Sequence, residues 1–272
     1  MHKTFLKYEK PLLTVMVKNV IPDKAVKEMK TALENGAEAF GIQAENFPRE
    51  YHTKADFRNI FAAAEDKPIY ITNYRLVNNS ELAYDELAEE LVGFAKLGAT
   101  LCDVPGDMFC KHPDELTDNS EAIEKQISLI ERLHKAGAEV VMSSHVNRFI
   151  PAERVYEIAA EQQRRGADMV KIVTAADNMS EQIENLRITD ELKRKISIPY
   201  LYLSGGSESR IHRRIGILMG CCMSLCVAED NNPDNPQPYV ADEKAVRDNL
   251  KFLGECNYES NTCKRRQIIK MG

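Results

Sequence analysis

The sequence predicts an α/β fold, a single (β/α)8 or TIM barrel. Short apolar runs alternate with amphipathic segments from one end to the other, the pattern of parallel strands joined by helical crossovers. Eight such units fit within 272 residues, a length typical of one barrel. The phrases Asn35-Gly36-Ala37, Leu97-Gly98-Ala99, Ala136-Gly137-Ala138 and Arg165-Gly166-Ala167 each close a helix before a strand. Glycine there supplies a left-handed cap. A doubly wound open sheet is the alternative. No Gly-x-Gly-x-x-Gly follows the first strand, so nothing points to a dinucleotide site.

The first strand is expected over residues 11–17. A helix follows over 23–33, with Asp23 as N-cap and Gly36 as stop signal. Strand 2 covers 38–44 and a helix covers 54–64. Strand 3 is Pro68-Ile69-Tyr70-Ile71-Thr72-Asn73-Tyr74-Arg75, followed by a helix over 80–97 capped by Ser80. Strand 4 starts at Leu101-Cys102-Asp103-Val104, and a long helix runs over 119–135. Strand 5 spans 137–145. Pro151 opens a helix to about Arg165, a favoured place for proline. Strand 6 is Gly166-Ala167-Asp168-Met169-Val170-Lys171-Ile172-Val173. A helix over 180–195 leads to strand 7 over 198–203, a short helix over 209–215 and strand 8 over 217–227. The domain is read as 1–255, with a C-terminal tail over 256–272 whose run Lys264-Arg265-Arg266 reads as solvated.

The apolar fraction, 43%, is that of a globular protein. A net charge of −6 lacks the basic face of a nucleic-acid binder. No apolar run reaches the length of a membrane span, and the N-terminal residues show no signal-peptide core. A cytoplasmic protein is expected, with no nucleic-acid or membrane partner. The cysteines are Cys102, Cys110, Cys221, Cys222, Cys226, Cys256 and Cys263. An odd number without an export signal does not suggest a disulfide framework. The Cys221, Cys222 and Cys226 group reads as small core residues, since adjacent strand residues point to opposite faces. No metal site and no cofactor are expected.

The chemistry centres on Lys171. A lysine in a buried strand loses hydration, and burial favours its neutral form. A held, neutral amine is the nucleophile that makes a Schiff base with a ketone. Alternatively, Lys171 ends its strand and snorkels to solvent. In a barrel, active residues lie at the C-terminal ends of strands. That places Gln43 and Glu45, Arg75, Asp103, His145, Lys171 and the segment Gly205 to Arg210 around one face. Histidine moves protons near neutral pH, and arginine grips a carboxylate with a bidentate fork. Taken singly, His145 reads sooner as a backbone-bonded histidine, Arg75 as a partner of a surface carboxylate, and Ser204-Gly205-Gly206-Ser207 as a turn or a phosphate cradle. Together they suit a Schiff-base lyase acting on a small keto acid.

At these residues the chain resembles the type I 3-dehydroquinate dehydratase family, from Pro11 to about Leu250. The match is carried by Ser143-Ser144-His145 followed by Pro151, and by Gly166-Ala167-Asp168-Met169-Val170-Lys171-Ile172. The resemblance implies that Lys171 forms an imine with the substrate ketone. It implies that His145 takes the α-proton and assists loss of water. Thr72 to Arg75 is similar to the family's Thr-x-Arg strand with one extra residue. Ser209-Arg210 is similar to its Ser-Arg pair after strand 7, whose arginine holds the substrate carboxylate. Gln43, Ser209 and Tyr239 complete the substrate-binding set that the resemblance implies. It also implies a (β/α)8 barrel, a homodimer and no metal or cofactor.

The chain departs from the family selectively. The family's Glu-x-Arg-x-Asp at the end of strand 2 is Gly41-Ile42-Gln43-Ala44-Glu45 here. Its Glu-Gly-Gly appears as Asn79-Ser80-Glu81, and its Asp-Phe after the histidine as Val146-Asn147. Its strand-4 acidic residue is replaced by Pro105. Its strand-8 Gly-Ser is Gly220-Cys221. In place of its Ala-Pro-Gly-Gln lid stands Pro236-Gln237-Pro238-Tyr239. Groups that make the imine and grip a carboxylate remain, while groups that read ring hydroxyls change. Loss of such partners costs roughly 10⁴-fold in discrimination. Three readings follow. One is 3-dehydroquinate dehydration. Another is imine chemistry on a different keto acid or hydroxyketone, as dehydratase or retro-aldolase. The third is a non-catalytic ligand-binding barrel.

Overall fold

The computed structural model describes residues 3–229 and 235–249. Eight parallel strands form one sheet in the order β7-β6-β5-β4-β3-β2-β1-β8. The strands are β1 (Leu12–Met16), β2 (Ala39–Gln43), β3 (Ile69–Thr72), β4 (Leu101–Pro105), β5 (Glu139–His145), β6 (Met169–Ala175), β7 (Tyr200–Gly205) and β8 (Met223–Cys226). Between and after them run α1 (Pro22–Glu34), α2 (Lys54–Ala62), α3 (Tyr84–Leu97), α4 (Ser120–Lys135), α5 (Ala152–Arg164), α6 (Met179–Lys195), α7 (Ser209–Ile215) and α8 (Val240–Asn249). First and last strands pair, Leu12 opposite Met223, so the sheet curls into a nearly closed barrel. At the seam between β7 and β8, the Cys222 N–H donates to the Tyr200 carbonyl at 2.9 Å. The fold is the (β/α)8 barrel expected from the alternation. The tail over 256–272 lies outside the described residues.

The four recurring glycines, Gly36, Gly98, Gly137 and Gly166, all take positive φ, the geometry the cap reading requires. Asn119 caps α4 by accepting the Ala122 N–H at 2.9 Å, and Asn178 caps α6 by accepting that of Glu181 at 3.1 Å. Two expected caps shift. Helix α1 starts at Pro22, which leaves Asp23 inside its first turn. Helix α3 starts four residues after Ser80, where Glu86 accepts the Ala83 N–H at 2.8 Å. Strand 8 is shorter than expected because Gly216–Leu218 coil into a 3₁₀ turn. Its apolar residues are used anyway, with Ile217 buried in the core. Helix α8 was not foreseen. It is charge-rich, yet Val240, Glu243 and Arg247 are buried.

Period-two alternation divides the core into two shells. Val15, Phe40, Ile42, Ile69, Ile71, Val140 and Met142 pack outward against the helices. Tyr70, Leu101, Val141, Met169, Leu201 and Met223 fill the barrel. Above this filling the inward positions turn polar, and the site is built there.

Candidate active site

Register fixes the site. Ser143 lies beside Lys171, and His145 beside Val173, across the β5–β6 ladder. Ser143 and His145 are two residues apart on one strand, so both side chains point inward, with His145 one pleat nearer the mouth. Lys171 is 5% exposed. Its neighbours along the strand are apolar, but the barrel surrounds its amine with polar groups. Nζ donates to the hydroxyls of Tyr70 at 2.8 Å and Tyr74 at 3.0 Å. It also faces Asp103 Oδ2 at 3.1 Å. Asp103 accepts from Tyr70 at 2.5 Å, from Tyr74 at 2.6 Å and, through Oδ1, from Ser143 at 2.6 Å.

The charges follow from these contacts. Burial opposes ionisation of Asp103, but Lys171 and the three hydroxyls overcome it and hold its pKa below the ordinary carboxylate range. Burial and then the Asp103 charge push both phenols well above their usual value. Tyr70 and Tyr74 therefore stay protonated. His145 is held by Glu115, whose Oε2 lies 2.9 Å from Nδ1 and also accepts the His145 backbone N–H at 2.7 Å. Burial raises the Glu115 carboxyl, but the His145 hydrogen bond and charge bring it below its ordinary value. Pinning Nδ1 leaves Nε2 as the atom free to work. The His145 ring meets Tyr74 edge-on, with centroids 5.4 Å apart.

A cleft of about 280 Å³ opens above this cluster. Lys171, Tyr70, Tyr74, His145, Gln43, Thr72, Lys18 and Arg213 line it, closed on one side by Asn235, Pro236 and Gln237. A larger groove of about 470 Å³ lies nearby along Lys18, Lys24, Lys27 and Glu28. It holds lysines but no histidine, cysteine or serine, so Lys171 and His145 meet only in the smaller cleft. Among the described residues no group of three or more His, Cys, Asp and Glu side chains is arranged to hold a metal ion. Cys221, Cys222 and Cys226 are buried, and burial pushes their thiols up.

Of the expected site residues, the cleft brings together Lys171, His145 and Gln43. Arg75 lies elsewhere. It is exposed, with its guanidinium over the Tyr84 ring at 5.3 Å. Strand alternation explains this, since Tyr70, Thr72 and Tyr74 share the inward face and Arg75 falls on the other. Arg210 is also exposed and does not line the cleft. Arg213, three residues on, does, and its Nε donates to the Ser204 carbonyl at 3.0 Å. Burial alone pushes its pKa down to about 10, still a cation at neutral pH. The signal was present, because Ser209 and His212 form the buried face of α7, and Arg213 is one turn beyond Ser209 on that side. Ser209 itself is buried under the loop. Tyr239 bridges to Val227 through backbone, and its segment reaches the cleft through Pro236 and Gln237 instead. Glu115, Tyr70, Tyr74 and Ser143 were not foreseen.

The strand-2 departure has a steric counterpart. Met16 lies opposite Gly41. A Cβ on Gly41 would sit 2.2 Å from the Met16 sulfur. The thioether occupies the space that a strand-2 side chain would need.

The chain is similar to a set of known proteins. A family model described as type I 3-dehydroquinase matches residues 14–253. The 3-dehydroquinate dehydratase of Listeria innocua is 29% identical over 182 residues, covering 65% of this chain and 66% of that one. That of Listeria monocytogenes serotype 4b is 28% identical over 170 residues, covering 60% and 62%. The match thus spans a little under two-thirds of these relatives' own length. A crystal structure of 3-dehydroquinate dehydratase from Geobacillus kaustophilus superposes with a TM-score of 0.78 at 17% identity, covering 91% of this chain and 95% of that one. A type I enzyme from Clostridium difficile, described with covalently modified comenic acid, gives 0.76 at 18% identity, covering 89% and 93%. With most of its length matched by the family model and the same barrel beneath it, this chain belongs to the type I 3-dehydroquinase family.

Proposed function

We propose that this chain dehydrates 3-dehydroquinate to 3-dehydroshikimate and water through an imine on Lys171. The observation that carries the reading is a buried amine at the floor of a cleft whose wall holds a carboxylate-backed histidine. Once it has given up a proton, Lys171 Nζ attacks the substrate ketone, and the carbinolamine loses water to give an iminium. The iminium acidifies the α-carbon, so His145 removes a proton there, and the electron pair moves into the C–N system. As that pair returns, the β C–O bond breaks. His145 hands the proton to the departing hydroxyl, which leaves as water. Hydrolysis of the iminium then frees the product and Lys171.

Arg213, the guanidinium on the cleft wall, holds the substrate carboxylate in this reading. Arg213→Ala is expected to lower kcat/KM by roughly 10- to 150-fold, the worth of one charged hydrogen-bonded contact, mostly through KM. Arg210→Ala is the comparison, and a larger loss there would return the carboxylate to Arg210.

The test of the function is borohydride trapping with 3-dehydroquinate, read by peptide mass and paired with a product assay. An adduct on Lys171 with product formation supports the reading. His145→Ala is expected to keep the adduct while losing about 10²- to 10⁴-fold in turnover, the usual share of an acid–base group. Equal loss of both steps makes His145 structural.

The Met16 thioether against Gly41 favours a second reading, in which the same imine forms on a different keto acid or hydroxyketone. A keto-acid panel that traps where 3-dehydroquinate does not selects it. A chain that traps nothing is a binding barrel. Among the described residues no helix is long and apolar enough to cross a membrane. We further propose a cytoplasmic homodimer, tested by sedimentation of the full chain and by fractionation of its cells.

A further inference from the structure

We propose that Tyr74 and Asp103 are a proton relay for imine formation at Lys171, with Tyr74 the further catalytic residue that delivers protons to the substrate oxygen. This rests on the reading of Lys171 as the imine-forming nucleophile. Three contacts form a closed triangle. The Tyr74 hydroxyl receives a hydrogen bond from Nζ at 3.0 Å and gives one to Asp103 Oδ2 at 2.6 Å. Asp103 Oδ2 accepts directly from Nζ at 3.1 Å. The donor–acceptor direction therefore already runs from amine to phenol to carboxylate.

Position separates the roles. Asp103 is 1% exposed and does not line the cleft, so it reaches the amine but not a substrate oxygen. Tyr74 is half-buried, lines the cleft and touches both the amine and Asp103. Tyr70 touches the same two atoms and also borders the cleft, but it is fully buried where Tyr74 is half-exposed, so it anchors the pair. His145 is committed elsewhere, its Nδ1 held by Glu115 and its ring one pleat nearer the mouth.

The proton balance requires such a relay. An ammonium and a ketone become an iminium and water, so two of the three protons on nitrogen must reach the departing oxygen. In the first transfer Asp103 takes a proton from Nζ. The neutral amine then attacks, the carbonyl π pair moves to oxygen, and Tyr74 protonates that oxygen while Asp103 reprotonates Tyr74. In the second, Asp103 takes another proton from the carbinolamine nitrogen and passes it through Tyr74 to the hydroxyl. The C–O bond breaks, the nitrogen lone pair closes the C=N bond, and water leaves. Asp103 ends as carboxylate and Tyr74 as phenol, as they began.

The experiment is rapid-quench borohydride trapping on the full chain. The substrate is 3-dehydroquinate, or the keto acid of the panel that traps if 3-dehydroquinate does not. Tyr74→Phe keeps the ring and removes the hydroxyl. Adduct formation on Lys171 is expected to slow about 10²-fold or more, while in His145→Ala it proceeds near the wild-type rate. Trapping by Tyr74→Phe at the wild-type rate overturns the relay and leaves the function standing. A second measurement needs no variant. The wild-type trapping rate in D₂O is expected to fall by about two-fold or more, and an unchanged rate overturns the relay. A wild-type chain that traps nothing overturns both the relay and the function.

Discussion

Lys171→Met is expected to lower kcat/KM by roughly 10⁴- to 10⁶-fold, the scale seen when a covalent nucleophile is lost. Methionine keeps most of the volume of the lysine stem, so the β5–β6 packing survives. The loss is in chemistry, because neither thioether nor neighbour supplies an amine at that depth. Tyr70, Tyr74 and Asp103 cannot replace it, since none forms an imine. A product assay checks the rate, and the borohydride adduct disappears with it. Activity within ten-fold of wild type would remove the imine from the mechanism altogether.

Asp103→Asn is expected to have the largest effect on stability. It leaves the Lys171 ammonium, 5% exposed, without its counter-charge, a loss of about 3–5 kcal/mol for a broken buried pair. For a chain of this size that is on the order of 10 °C in Tm. The pH dependence has a definite sign. The Asp103 carboxyl lies below its ordinary range in the folded chain. Its stabilisation is therefore complete above the ordinary carboxylate value and is lost as pH falls through the folded one. The gap between wild type and Asp103→Asn should be full at neutral pH and close only in strong acid. A gap that shrinks toward alkaline pH would assign the stabilisation to another group.

The fold was legible because a barrel writes itself into local pattern. Each strand is an apolar run, each crossover carries a helix, four of these helices stop at a glycine, and parallel order needs no long-range information. Helix α8 was missed because its charged residues hide a buried face, Glu243 and Arg247 included. The candidate cleft follows the strand-end reading at Gln43, His145 and Lys171, which line it together. The cleft departs from that reading where a residue lies one position off, as at Arg75 beside Tyr74, or three along a helix, as at Arg210 before Arg213. Side-chain direction decides these cases, and a strand-end reading ignores it. Glu115 was invisible for a different reason. It reaches His145 from a loop thirty positions earlier, and no spacing rule links the two.

The seam between β7 and β8 sets the order in which the molecule assembles. Strands β1 to β7 are linked by neighbouring ladders, each formed from segments close in sequence. The eighth strand instead joins the first, Leu12 beside Met223. That pairing spans nearly the whole chain and carries its largest loop-closure entropy. A curved seven-stranded sheet therefore forms before the cylinder shuts, and closure waits for β8. The same contact is expected to open first under stress. Amide hydrogens of β8 should exchange with solvent through a partial opening that leaves β4, β5 and β6, and with them Lys171 and His145, protected.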